Sequence, residues 1–221
     1  MTPGGDSVHP FFVGDGVHGN IVFNFRGNPA NDLAAFAAGY HEGAKVLVAN
    51  MEAKAGYADY EGYPIFFLYR HALELYLKAI LYRGTMILGL TSAPAIRVDK
   101  LFARHDLARL LPAIRGIFDH VGWNWQVEAS GLQDWEDVSA LVCAIDGIDG
   151  GSSSFRYPVA SDGSAPLPRH LVLNAIAFGH RMDPLLDLLD GAVTGLDDFW
   201  DSRAEIAHFL QELVKEWRGE P

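Results

Sequence analysis

The chain has 221 residues, of which 49% are hydrophobic and 20% charged, a balance typical of a folded globular protein. Its formal net charge of −11 argues against binding to a phosphate backbone over a wide surface, so any contact with nucleic acid is expected in a local pocket. The single cysteine, Cys143, excludes an internal disulfide and a cysteine-based zinc site, and it favours a reducing, cytoplasmic location.

The N-terminal residues 1–28 are predicted to form an extended arm or small hairpin, followed by a single helical domain at 29–221. Two short β-like runs in the arm, HPFFV and NIVFNF, are separated by the glycine-containing stretch GDGVHGN. The chain does not begin with a basic run followed by a long apolar run, so we expect no signal peptide. It also has no uninterrupted apolar stretch of about 18 residues, so we expect no membrane span.

Helical periodicity predicts a first helix over about 31–55 and a central helix over 63–83. In the first helix, apolar residues recur at steps of three and four positions and form one buried face. The central segment, YPIFFLYRHALELYLKAILYR, is apolar on nearly every side, with Pro64 in its first turn and Gly84 as its predicted C-terminal stop. Such a helix is expected at the centre of a bundle.

The central helix carries one polar stripe, formed by Arg70, Glu74 and Lys78 at successive four-residue steps, with His71 beside it. This spacing places opposite charges on one helix face. One interpretation is a solvated ladder on the only exposed edge of a core helix. The other is a stripe that lines a cleft or a symmetric interface, where each charge must be paired because an unpaired buried ion is very costly.

After an irregular connection, a third helix is predicted with Asp106 as its N-cap and with a kink at Pro112. His105 lies at the mouth of this helix, where it is either a neutral base or phosphate neighbour, or a hydrogen-bonded part of the cap. A shorter helix is predicted over about 135–145, and the stretch DGIDGGSSS that follows is predicted to be a loop.

The C-terminal third is predicted to begin with the extended segment FRYP. Arg156, between two aromatic residues, is either packed against them through its stem or held towards an anion. Pro168 is predicted to start a helix that Pro184 ends or kinks, and a last helix is predicted over about 196–217.

Three segments resemble the bacterial branch of the HEPN family of small helical domains: YPIFFLYRHALELYLKAIL, the triplet His105-Asp106-Leu107, and SSSFRYP. The resemblance covers about residues 30–158. It implies an all-α, up-and-down helical bundle that is often dimeric, with a groove between the subunits. Many members are metal-independent endoribonucleases of toxin, defence or RNA-processing systems, so the resemblance implies an RNA or nucleotide ligand, and we expect no metal or cofactor.

The catalytic signature of that family is an arginine followed, after four to six residues, by a histidine. Arg203 and His208 match this spacing, as do Arg115 and His120, and the first pair better fits the family's position at the start of the last core helix. In the family the histidine acts on the ribose 2′-hydroxyl or the leaving group, and the arginine stabilises the phosphate. The alternative is a structural arginine and a surface histidine.

Two functional hypotheses follow from the sequence. The first is a cytoplasmic, homodimeric protein that binds or cleaves RNA or a nucleotide. Its candidate catalytic residues are Arg203, His208 and His105, and its candidate binding residues are Arg70, His71, Glu74, Lys78, Asp106 and Arg156. The second is a non-catalytic helical interaction module, antitoxin-like or a scaffold, that binds a partner protein and in which the polar stripe only organises the bundle.

Overall fold

The computed structural model describes residue 21 and residues 32–89, 101–123 and 132–218, with side chains except those of residues 204 and 206–218. These residues form five α-helices and no strand, so the predicted all-α helical bundle is confirmed. The helices are α1 (Leu33–Glu52), α2 (Gly62–Gly89), α3 (Leu111–Val121), α4 (Trp135–Ile148) and α5 (Ala175–Arg218). The predicted N-terminal arm lies, apart from residue 21, outside the described residues.

Helix α2 is the centre of the bundle, as its apolar composition predicts. It packs against α1, α3 and α5, and α1 also packs against α5. Because α2 has neighbours on nearly all sides, even Tyr69 and Tyr76 are almost completely buried in its middle. Burial raises the pKa of both tyrosines, and hydrogen bonds to carboxylates of α5 raise it further, so their hydroxyls act as donors. Tyr69, for example, donates a 2.7 Å hydrogen bond to Asp183.

Three predicted helix boundaries are wrong. Gly84 does not stop α2, which continues to Gly89; the glycine instead lets the buried side chain of Ile117 on α3 pack directly on the α2 backbone. Pro184 does not end a helix, because it lies inside α5, which is continuous over 44 residues and includes the separately predicted last helix. Pro168 starts no helix, because α5 begins at Ala175, where Asn174 accepts a hydrogen bond from the amide of Ala177.

The segments that connect these helices bring distant parts of the chain onto α2. Residues 101–110 cross α2 and end in a 3₁₀ turn, Ala108–Leu110, directly before α3. Residues 149–174 lead from the end of α4 to the start of α5 without a helix. In the described part of the chain, no helix is sufficiently long and apolar to cross a membrane.

Candidate functional site

The polar stripe of α2 is buried. Arg70, Glu74 and Lys78 expose only 1%, 2% and 3% of their surface, so the interpretation as a solvated ladder is wrong. Their charges are paired along the helix: Arg70 donates to Glu74 at 2.8 Å, and Lys78 donates to the other carboxylate oxygen of Glu74 at 2.7 Å. We call these three residues the buried ladder. Its pairing is what burial requires, because an isolated ion there would be strongly destabilising.

Arg70 also connects the ladder to two other segments. Its Nε atom donates to the backbone carbonyl of Asp149 at 2.7 Å, and one terminal nitrogen donates to the carbonyl of His105 at 2.6 Å. The Asp149 carboxylate lies 3.5 Å from the same Nε atom and is almost fully buried. The guanidinium therefore holds the C-terminal end of α4 and the segment before α3 against the middle of α2.

Two aspartates of the sequence IDGIDGG complete this arrangement. Asp146 accepts hydrogen bonds from the amides of Leu107 and Ala108, at 2.9 and 3.3 Å. Asp149 accepts from the amides of Ser153 and Ser154, at 2.9 and 3.0 Å. Sequence reasoning treated this stretch as a loop and missed both residues. The detectable signal was a pair of aspartates at the end of an amphipathic helix.

The environment of Asp146 differs from that of Glu74. Burial raises the pKa of the Asp146 carboxyl, and the neighbouring carboxylate of Asp106 adds to this increase. Burial alone would also raise the pKa of Glu74, but the hydrogen bond and charge of Lys78, with further hydrogen bonds from His105 and Arg70, hold it below its usual range. Glu74 is therefore ionised at neutral pH.

His105 is the point at which this buried network reaches solvent. Its Nδ1 atom lies 2.9 Å from Oε1 of Glu74, while the side chain remains 51% exposed. An ionised carboxylate only accepts hydrogen bonds, so Nδ1 must carry the proton. In the neutral ring, the other nitrogen, Nε2, is then the proton acceptor. A buried carboxylate that fixes the tautomer of an accessible histidine is the arrangement that a general base requires.

The predicted cap at Asp106 forms on the 3₁₀ turn that runs directly into α3. Asp106 precedes the 3₁₀ turn and not α3: its carboxylate accepts from the amide of Arg109 at 3.4 Å and pairs with that guanidinium at 2.7 Å. His105 consequently lies six residues before α3 and does not adjoin the first turn of that helix. Pro112 lies at the start of α3, where proline is favoured, and it does not kink the helix.

His71 and Arg156 lie beside the ladder in an aromatic environment. His71 stacks on Phe67 with ring centroids 5.4 Å apart, and its Nδ1 atom is buried with no hydrogen-bond partner among the described residues. Burial lowers the pKa of His71, and the positive charge of Arg156 lowers it further. The Arg156 guanidinium lies over the rings of Phe67 and Tyr157, at 5.6 and 5.0 Å. Arg156 is exposed and pairs with no carboxylate of the described residues.

Arg203, Arg115 and His120 have their described contacts outside this site. Arg203 on α5 places its guanidinium 4.7 Å over the ring of Phe199. The side chain of His208 lies outside the described residues, so the predicted catalytic pair stays a prediction. Arg115 pairs with Glu136 at 3.4 Å on the surface, and His120 is exposed on α3. The site that the structure assembles thus contains Arg70, Glu74, Lys78 and His105, with His71 and Arg156 adjacent.

Comparison with known proteins adds nothing to these observations. No family model, no curated protein and no solved structure matches the chain.

Proposed function

We propose that the protein is a HEPN-like endoribonuclease that cleaves RNA without a metal ion and uses His105 as its general base. The observation that carries this proposal is the Glu74–His105 pair, in which a fully buried carboxylate orients a half-exposed imidazole at 2.9 Å. The sequence resemblance of this helix and of the His105-Asp106-Leu107 triplet supports the same class of activity. The setting that we propose is a toxin or defence system in the cytoplasm, with the protein as a homodimer.

The chemistry follows from the tautomer of His105. Its Nε2 atom takes the proton of a ribose 2′-hydroxyl, and the resulting oxygen nucleophile attacks the adjacent phosphorus. The bond to the 5′-oxygen of the next nucleotide breaks, and that oxygen takes a proton from water as it leaves. The products are a 2′,3′-cyclic phosphate and a 5′-hydroxyl. No oxidant, cofactor or external nucleophile is required.

A cation must stabilise the charge that develops on the phosphate, and the buried ladder does not provide it. Arg70 and Lys78 are buried and both are paired with Glu74, so neither is available to a ligand. Arg104, which precedes His105, and Arg156 are exposed, and neither pairs with a carboxylate of the described residues. We propose these two arginines as the phosphate-binding groups, in place of the ladder residues that the sequence suggested.

The test is cleavage of end-labelled RNA by the purified protein in excess EDTA. We expect His105→Ala to reduce the rate by a factor of about 10²–10⁴, the usual contribution of a positioned acid or base. His120→Ala is the matched control, because this histidine is also exposed but lies on α3 without a carboxylate partner among the described residues, and we expect it to retain full activity. Detection of a 2′,3′-cyclic phosphate on the product would establish the reaction.

The variant His208→Ala distinguishes the proposed role of His105 from a catalytic role of the Arg203–His208 pair. Loss of cleavage in His208→Ala with full activity in His105→Ala would refute the role of His105 and support the Arg203–His208 pair. Activity that EDTA abolishes would refute the metal-independent mechanism.

A second candidate is the non-catalytic interaction module, and one observation favours it. The charges of the buried ladder are satisfied within the protein, by its own members, by carbonyl groups and by Asp149, as expected if they only organise the bundle. Under this proposal the protein binds a partner protein, and His105 serves only to cover Glu74. Absence of RNA cleavage by the wild-type protein at micromolar concentration, together with unchanged partner capture by His105→Ala, would support this candidate over the nuclease.

A further inference from the structure

A cleft of about 540 Å³ lies away from His105, between the end of α1, the start of α2 and the segment that precedes α5. Its floor is aromatic: Phe66 of α2 and Phe155 stack with ring centroids 5.1 Å apart and an interplanar angle of 18°. Tyr57 and Tyr63 add two further rings to the lining. The volume lies within the usual range of small-molecule sites.

The rim of the cleft contains an unusual concentration of exposed apolar side chains. Tyr57, Tyr63, Leu171 and Val172 all line it, and they expose 62%, 49%, 37% and 89% of their surface. Contiguous exposed apolar surface of this kind commonly marks a binding site. His170, in the same wall, has a positive φ of 62°, a backbone conformation that is uncommon for residues other than glycine and occurs often at ligand sites.

The charges of the lining indicate which ligands the cleft would accept. Asp59 is the only acidic residue in the described part of the lining, and it forms no ion pair with the described residues. The nearby Lys54 is bound to Glu61 at 2.6 Å. The described lining contains no Lys or Arg, and His170 is its only imidazole. A phosphate or carboxylate group would find no permanent cation there, whereas a positive charge would find both a carboxylate and aromatic faces.

We propose that this cleft binds a small, flat, apolar molecule that carries one positive charge. The aromatic floor stacks against the flat body of the ligand, and Asp59 pairs with its cationic group. The site differs from the proposed nuclease site in location and in charge, and the proposal does not depend on RNA cleavage.

Three fluorescent probes of similar shape test the charge preference directly. Thioflavin T is a flat cation, phenylnaphthylamine is neutral and anilinonaphthalene sulfonate is an anion. We expect titration of the full chain with each probe to give the tightest binding for thioflavin T and the weakest for the sulfonate. Asp59→Asn should weaken thioflavin T binding about two- to fivefold, the size of an exposed ion pair, and leave phenylnaphthylamine unchanged.

Val172→Lys provides the second test, because this side chain is 89% exposed and its replacement leaves the core intact. A lysine on the rim should weaken binding of thioflavin T and strengthen binding of the sulfonate. Val46→Lys is the matched control: it makes the same substitution on α1 at a side chain that is 66% exposed and does not line the cleft.

Equal affinities for the three probes, or equal effects of Val172→Lys and Val46→Lys, would overturn the proposal. So would a change of oligomeric state in Val172→Lys, measured by sedimentation equilibrium, because a second copy of the chain would then be the occupant of the cleft. The proposal requires that Val172→Lys change the affinities of the cationic and anionic probes in opposite directions and that Val46→Lys change neither affinity.

Discussion

Replacing Glu74 with glutamine should destabilise the fold more than replacing any other residue of the buried ladder. Glu74 is 2% exposed and is the only carboxylate among the described residues that contacts Lys78. In the variant Arg70 keeps Asp149 and two carbonyl acceptors, but Lys78 loses its carboxylate and keeps only neutral acceptors, the amide oxygen of the introduced side chain and the carbonyl of Phe102 at 3.5 Å. Breaking a buried ion pair in this way typically costs about 3–5 kcal/mol. We therefore expect Glu74→Gln to lower the free energy of unfolding by that amount.

A double-mutant cycle separates the charge effect from lost packing. Lys78→Met leaves Glu74 with Arg70 and His105 as partners, so we expect a smaller cost of about 1–3 kcal/mol. The double variant has no unpaired lysine. Its loss of unfolding free energy should therefore be about 1–3 kcal/mol smaller than the sum of the losses in the two single variants. Each change in the free energy of unfolding is measured by urea denaturation, followed by tryptophan fluorescence. It is calculated from the shift of the unfolding midpoint, provided that the slope m stays constant.

Glu136→Gln is the control, because it makes the same substitution in an exposed ion pair. Glu136 and its partner Arg115 are 70% and 55% exposed and lie 3.4 Å apart, so we expect a change of less than about 1 kcal/mol. If Glu74→Gln were no more destabilising than Glu136→Gln, or if the effects of the two ladder substitutions were strictly additive, burial would not strengthen the ion pair of Glu74 and Lys78.

Two further predictions concern α2. Gly84→Ala should destabilise the fold by about 1–3 kcal/mol, because its new methyl group would collide with the buried side chain of Ile117. Gly89→Ala would meet no side chain of the described residues, so it should be neutral or slightly stabilising in the same urea assay. His71 is held neutral by a lowered pKa, so unfolding takes up a proton as the pH falls through 6.5 and stability decreases. His71→Phe should abolish this decrease in stability between about pH 5 and 6.5. If the urea midpoint of the variant followed the same pH profile as that of the wild type, His71 would not be its source.

The sequence predicted the elements whose periodicity is strong, and it failed where packing overrides a local signal. The apolar pattern of α2 and the three- and four-residue steps of α1 predicted both helices, although α2 continues to Gly89, beyond its predicted end at 83. Gly84 was predicted as a helix end, and Pro184 as an end or a kink, because each disfavours a helix interior. The structure shows that α3 occupies the space that Gly84 leaves, and that α5 continues through Pro184. Such tertiary contacts leave no trace in a local window.

The candidate site shows the same limit. The four-residue spacing predicted that Arg70, Glu74 and Lys78 would pair, and this pairing is confirmed. Their burial was undecided, because it depends on residues 101–110 and on the end of α4, which are distant in the chain. Asp146 and Asp149 were missed for that reason. Their partners, an arginine on α2 and the amides of two turns, come together only in the folded chain.

Glu74 connects the stability of the bundle to the proposed chemistry. Its two carboxylate oxygens accept from Arg70 and Lys78, and one of them also contacts His105, so any substitution there changes stability and the histidine tautomer together. His105 differs, because it is half-exposed and contributes its side chain only to one bond of this network. A loss of RNA cleavage in Glu74→Gln alone would therefore be ambiguous between unfolding and lost catalysis. The same loss in His105→Ala, with an unchanged urea midpoint, would assign the histidine to the reaction and leave the ladder its structural role.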